Sequence, residues 1–265
     1  MRLRNYSERT ITTYLSLIRM VSRYYKLSPD KITIKQIKAY LNYRVEKDKI
    51  SVSTINQTVS AFKLLFERVL EKEWDKFVII RPRREKKLPV ILSKDDIKKI
   101  LDVTGNLKHR AIIVLAYSSG LRLSELCNLR IKDIDSKRMQ IRVANGKGKR
   151  DRYSILSINA LSILRLYYKE FRPHDYLFFG YYKNQHISQK AVQHCFRKAL
   201  KKTGIKKDVN FHTLRHSFAT HLLEQNVNIK VIQMLLGHSS IRTTMIYTHL
   251  VNIKPGSIDN PFDTL

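Results

Sequence analysis

Between His212 and His249 the chain reads HTLRHSFATHLLEQNVNIKVIQMLLGHSSIRTTMIYTH. A His-x-x-Arg pair (His212, Arg215) opens this stretch. A Leu-Gly-His turn (Leu236, Gly237, His238) follows, and Tyr247 stands nine residues after that histidine. Singly these are ordinary residues in a chain with 14 Tyr and 9 His, since a tyrosine usually serves as an apolar body with a polar tip. Together they supply two cationic donors, a further imidazole and a phenol. That is the inventory for attack on a phosphodiester without a metal. Such an attack passes through a pentavalent state with extra negative charge on the non-bridging oxygens. Charge-assisted donors aimed at those oxygens stabilise it, and the arginine fork meets two of them in fixed geometry.

Two upstream segments carry residues of the same kind. GLRLSELCNL (Gly120 to Leu129) opens a short helix after a glycine turn, with Arg122 near its start and Glu125 one turn on. MQIRVAN (Met139 to Asn145) and RYSIL (Arg152 to Leu156) read as antiparallel strands, following a strand region that begins at Ile134 and Asp135. The turn between them, GKGKRD, carries Lys147, Lys149 and Arg150. It is not a nucleotide-binding loop: the first glycine, the following Ser/Thr and the strand-to-helix setting are missing. His212, His216 and His221 invite comparison with a metal-binding helix, but Thr213 stands where the zincin glutamate would be and no carboxylate cluster is near. His216 and His221 therefore read as helix histidines, and no metal is expected.

The ordered set Arg122, Lys147, His212, Arg215, His238 and Tyr247 resembles the catalytic constellation of the tyrosine recombinases (the integrase family), with the match running from about Pro89 to Val251. The resemblance implies a mainly α fold with a small antiparallel β-sheet: an N-terminal helical bundle plus an α+β tyrosine-recombinase catalytic domain. It implies that Tyr247 is the nucleophile, forming a 3′-phosphotyrosyl link, and that Arg122 and Arg215 bind the phosphate. His212 and His238 would add hydrogen bonds and assist proton transfer from the tyrosine, and Lys147 would protonate the leaving 5′-oxygen. No cofactor, metal or ATP is implied. The implied partner is double-stranded DNA with inverted-repeat core sites, bound by a homotetramer on two sites that exchanges C-terminal tails, with Phe262 and Leu265 as apolar anchors. A compact Xer-like or mobile-element integrase fits best, for integration, excision or resolution. Two other readings stay open: a catalytically silent DNA-binding protein on the same scaffold, and a type IB topoisomerase-like relaxing enzyme.

The elements that must position these residues divide the chain as follows. Residues 1–80 form an N-terminal helical, core-DNA-binding domain. Ser7 caps a helix over 7–26 with Ile11, Tyr14, Leu15, Ile18 and Tyr25 on its stripe. Thr33 and Gln36 have capping-box spacing for a second helix carrying Ile34, Ile37, Leu41 and Val45. A third begins near Ser53, with Ile55, Val59, Phe62, Phe66, Val69 and Leu70 inward and Trp74 and Phe77 over its end. Residues 81–89, RPRREKKLP, are a basic linker whose Arg81, Arg83 and Arg84 suit phosphate contacts. The catalytic domain spans 90–252, with helices over 94–103, 107–118 and 157–170. A further helix is capped by Ser188, ends at Gly204 and carries Lys190, Arg197 and Lys198 as a candidate major-groove face. Residues 253–265 are a tail.

Composition agrees with a polyanionic partner: 51 Lys and Arg stand against 22 Asp and Glu in 265 residues, a formal net charge of +29. Hydrophobic residues make up 43%, enough for a folded core. No apolar run reaches membrane-spanning length, and the start, MRLRNYSERT, has no apolar h-region. Cys127 and Cys195 form no framework. The expected location is cytoplasmic and nucleoid-associated.

Overall fold

The computed structural model describes residues 1, 6–75, 79, 81–82, 88–144 and 151–250. Lys147, Lys149, Arg150, Arg83, Arg84, Phe77 and the tail lie outside the described residues. The chain forms two compact units, Met1–Lys87 and Leu88–Leu265, each with its own core.

The first unit is built from α1 (Glu8–Tyr25), α2 (Ile34–Asp48) and α3 (Val52–Arg68). Ser7 caps α1 by accepting from the Thr10 amide, and Thr33 with Gln36 closes a full capping box on α2. α3 is capped by Ser51, two residues ahead of the serine expected to start it. The core joins Val21, Ile37, Tyr40, Leu41, Val59, Phe62 and Phe66. Trp74 closes one end with its ring edge-on to Phe66, centroids 5.6 Å apart. Leu15, Val45 and Val69, expected on the inward stripes, are exposed. Three helices alone cover less of one another than a full apolar stripe presents, and Val69 is the C-cap of α3, where the helix ends.

In the second unit, α5 (Leu107–Ser119) is the central element, with α4 (Lys94–Asp102), α7 (Ile158–Phe171), α8 (Gln189–Thr203) and α9 (Thr213–Glu224) against it. Being covered on several sides explains why its sequence is apolar nearly all round, with Ala111, Ile112, Ile113, Leu115 and Ala116 buried. Gly120 ends it at φ 59°, and a Cβ there would run into the Phe218 ring of α9. The short helix α6 (Leu123–Asn128) follows. A three-stranded antiparallel sheet comes next, β1 (Ile134–Asp135), β2 (Gln140–Val143) and β3 (Arg152–Ile155), in the order β1-β2-β3. Its register pairs Ile141 with Ser154 and Val143 with Arg152. The Ser154 hydroxyl donates to the Ser119 carbonyl, which ties β3 to the end of α5. Leu177 and Phe178 are buried, as the YLFFG segment suggests, in the same core as Val192, Cys195, Phe196 and Ala199 of α8.

The chain then runs through α10 (Ile229–Leu236) and α11 (Ile241–Met245). Phe218, Ala219, Ile232, Leu236 and Tyr247 make a small separate core beneath this end. The start of α9, the end of α10 and the turns after α11 together form a shelf over this small core. Among the described residues no helix is long and apolar enough to cross a membrane.

Candidate active site

Three arginines from three elements converge on one carboxylate. Arg122 is the N-cap of α6, and its amide donates to Glu125 Oε2 at 2.7 Å. Its Nη1 donates to Glu125 Oε1 at 2.7 Å, and its Nη2 reaches the Gly237 carbonyl at 3.0 Å. Arg152, on β3, meets the same carboxylate fork to fork: Nη1 to Oε1 and Nη2 to Oε2, both 2.7 Å. Its Nε donates to the Leu235 carbonyl at 2.9 Å. Arg215, near the start of α9, is 1% exposed. It donates to the Gly120 and Leu236 carbonyls, both at 2.6 Å, and lies 3.9 Å from Glu125 Oε2.

Buried charges are tolerable only when paired and hydrogen-bonded, and here each guanidinium is. Burial alone would raise the Glu125 carboxyl. The hydrogen bonds and charge of Arg152, with those of Arg122, outweigh it and hold the group at about 2. Burial, and then the charge of Arg122, push Arg215 down to about 9, with Glu125 opposing, so it stays a cation at neutral pH.

Gly237 makes this convergence possible. It ends α10 at φ 62°, and a Cβ there would stand 2.5 Å from Arg152 Cδ. Only a glycine lets the arginine lie against the helix end.

Tyr247 lies against this cluster, 1% exposed. Burial raises its pKa, opposed by the charges of Arg215 and Arg122. Its hydroxyl is 3.0 Å from Nδ1 of His216. The His238 ring stacks on it at 6.4 Å and 14°, with His238 Nδ1 held by the buried Thr244 hydroxyl at 2.9 Å. His212 stands exposed at the head of α9, its ring edge-on to His216 at 4.6 Å. Burial and then Arg215, Arg122 and Arg152 push His238 down to about 3; burial and then His212 and Arg215 push His216 down to about 4. Both imidazoles are therefore neutral near pH 7.

Of the residues singled out in the sequence, the structure brings Arg122, His212, Arg215, His238 and Tyr247 to one place. Lys190, Arg197 and Lys198 are exposed on α8, and Arg81 is exposed in the first unit. Two members of the cluster, Arg152 and His216, are not among the site residues expected from the sequence. Arg152 looked like one more residue of an alternating strand. His216 looked like a helix histidine, although it follows His212 by four residues and so shares its face.

Comparison with known proteins places this arrangement in a family. The Phage integrase family model matches residues 91–252, and the model for the phage integrase N-terminal SAM-like domain matches residues 1–76. The chain is 39% identical to the tyrosine recombinase XerA of Pyrococcus horikoshii over 209 residues, which cover 77% of this chain and 72% of that one. It is 33% identical to a tyrosine recombinase of Thermosipho africanus over 266 residues, covering 94% of this chain and 91% of the other. Among solved structures it is similar to the XerH site-specific recombinase bound to difH substrate in a pre-cleavage complex. The TM-score is 0.72 at 25% identity, covering 93% of this chain and 77% of that one. With its helical first unit and its arginine, histidine and tyrosine shelf, the chain belongs to the phage integrase family of tyrosine recombinases, which are DNA strand transferases.

Proposed function

We propose that this protein is a site-specific DNA recombinase that cuts and rejoins strands through Tyr247. One observation carries the reading: a buried phenol sits against a fixed cluster of guanidinium groups and neutral imidazoles. In this reading the Tyr247 oxygen attacks the phosphorus and forms a 3′-phosphotyrosyl bond, while the 5′-oxygen leaves. Arg122 and Arg215 face the non-bridging oxygens, and their carbonyl and carboxylate partners keep them in place before DNA arrives. His212 and His238 add neutral donors at the same oxygens. Lys147, between β2 and β3, gives the 5′-oxygen its proton. The phosphotyrosyl bond keeps the energy of the broken diester, so rejoining needs neither ATP nor a cofactor.

The partner is double-stranded DNA carrying inverted-repeat core sites. A net charge of +29 supports this. So do Lys190, Arg197 and Lys198, exposed along one helix, and the basic residues Arg81, Arg83 and Arg84 of the linker and Lys149 and Arg150 of the turn sequence. In this reading residues 1–80 also bind the duplex, and the protein works as a homotetramer on two sites, joined through its C-terminal tails. Its place of work is the nucleoid.

The test is a duplex built from the inverted repeats that border the gene or its element, nicked so that cleavage cannot reverse. Wild type should give an SDS-resistant protein–DNA adduct, and Tyr247→Phe should give none. An adduct that survives in Tyr247→Phe would remove the assignment. Wild type that binds tightly and never forms an adduct would point to a silent DNA-binding protein.

A further inference from the structure

The family resemblance has His212 and His238 assist the departure of the tyrosine proton, yet among the described residues neither is hydrogen-bonded to the Tyr247 hydroxyl. We infer that His216 is a further catalytic residue, the group that takes the proton of the Tyr247 hydroxyl as its oxygen attacks phosphorus. This rests on Tyr247 being the nucleophile.

The geometry singles out His216 from the other histidines of the shelf. Its Nδ1 lies 3.0 Å from the Tyr247 oxygen, within reach for direct transfer. His238 has its Nδ1 engaged by Thr244 and presents a stacked ring face to the phenol. His212 meets the His216 ring edge-on. Among the described residues no other side chain is hydrogen-bonded to the Tyr247 hydroxyl. In the proposed arrangement the phenol donates and Nδ1 accepts, so the neutral ring carries its proton on Nε2. Burial and the nearby Arg215 keep that ring neutral, as an acceptor must be. The ring is also well held. It stands next to Arg215, whose guanidinium is fixed by two backbone carbonyls, and His212 packs on it from one helical turn away.

The step balances. The O–H bond of Tyr247 breaks and its proton moves to Nδ1, giving an imidazolium. The O–P bond forms and the bond to the 5′-oxygen breaks. That oxygen receives its proton from the separate acid assigned above to Lys147. Rejoining runs the same steps backwards, with His216 returning its proton to the phenol. An imidazolium beside Arg215 is unfavourable in the free protein. The phosphodiester brings the negative charge that offsets it, so the transfer is coupled to the presence of DNA.

The test measures adduct formation on the nicked duplex by wild type, His216→Ala and His216→Gln. Each is assayed on an ordinary phosphodiester and on a 5′-bridging phosphorothiolate, whose leaving sulfur needs no acid. Loss of a general base costs about 100-fold or more. His216→Ala should lose that much on both substrates while binding the duplex as wild type does, and added imidazole should restore part of the rate. His216→Gln keeps a hydrogen-bond acceptor but no base, and should stay slow. A glutamine variant at the wild-type rate would reduce His216 to a positioning role and overturn the inference. So would an alanine variant that cleaves as fast as wild type or faster, or whose defect disappears on the phosphorothiolate. If wild type itself forms no adduct, the recombinase reading falls first.

Discussion

Replacing Glu125 by glutamine should cost the second unit about 3 kcal/mol at neutral pH. Two routes lead to this figure. The carboxyl is held at about 2 against an ordinary value of 4.5, and at about 1.4 kcal/mol per unit that displacement amounts to about 3 kcal/mol. Breaking a buried, hydrogen-bonded ion pair by removing one partner costs about 3–5 kcal/mol, and the Arg152 side chain left behind is only 9% exposed. The sign with pH follows from the direction of the displacement. A depressed carboxyl contributes stability that is fully present above its unfolded value near 4.5 and is lost as pH falls through about 2. The gap between wild type and Glu125→Gln should therefore shrink to about half or less by pH 3. Urea unfolding followed by far-UV circular dichroism at several pH values measures this. The protein supplies its own control: its single tryptophan, Trp74, lies in the core of the first unit, so its fluorescence transition should not move. A cost below about 1 kcal/mol at pH 7, or a gap that does not narrow in acid, would refute the claim that Glu125 organises the three arginines.

Other substitutions probe the same shelf. Gly237→Ala should cost about 1–3 kcal/mol, because it forces a Cβ against Arg152 and leaves an alanine at positive φ; urea midpoints of the full chain check it. Arg152→Lys keeps the charge but not the two parallel bonds to Glu125, so it should recover less than half of the stability that Arg152→Ala loses in the same assay. His216 and His238 are held at about 4 and about 3, below their ordinary value of 6.5. The stability they contribute is full above pH 6.5 and is lost as pH falls toward 4 and then 3. Wild type should therefore weaken on acidification from pH 6.5, and a His216→Gln, His238→Gln double variant should show a flatter slope there.

Much of this could be read along the chain, because local rules set it. Ser7, Thr33 with Gln36, and Ser93 with Asp96 mark helix starts that the structure realises as caps. The alternation at 139–145 and 152–156 likewise marks the two strands of the hairpin. Three apolar residues were assigned to the wrong side. The helical period fixes which residues share a face but not how wide the covering partner is, and Leu15, Val45 and Val69 fall beyond that cover. The site was legible where residue type and order suffice. Arg152 was not, since its meaning depends on partners 27 and 83 residues away, on α6 and α10. His216 was obscured by its own abundance class: a chain with 9 His offers many helix histidines, and only the fold puts this one on the phenol.

The backbone carbonyls that hold the arginines have one further consequence. Gly120 closes α5, and Leu235, Leu236 and Gly237 close α10, so two helices point their C-terminal ends at the cluster. A helix end of this kind acts as roughly half a negative charge. Three guanidinium charges thus face one carboxylate and two helix ends that each carry part of a negative charge. The arginines are held by aligned backbone dipoles as well as by Glu125, and the cluster stays net positive before a phosphodiester arrives.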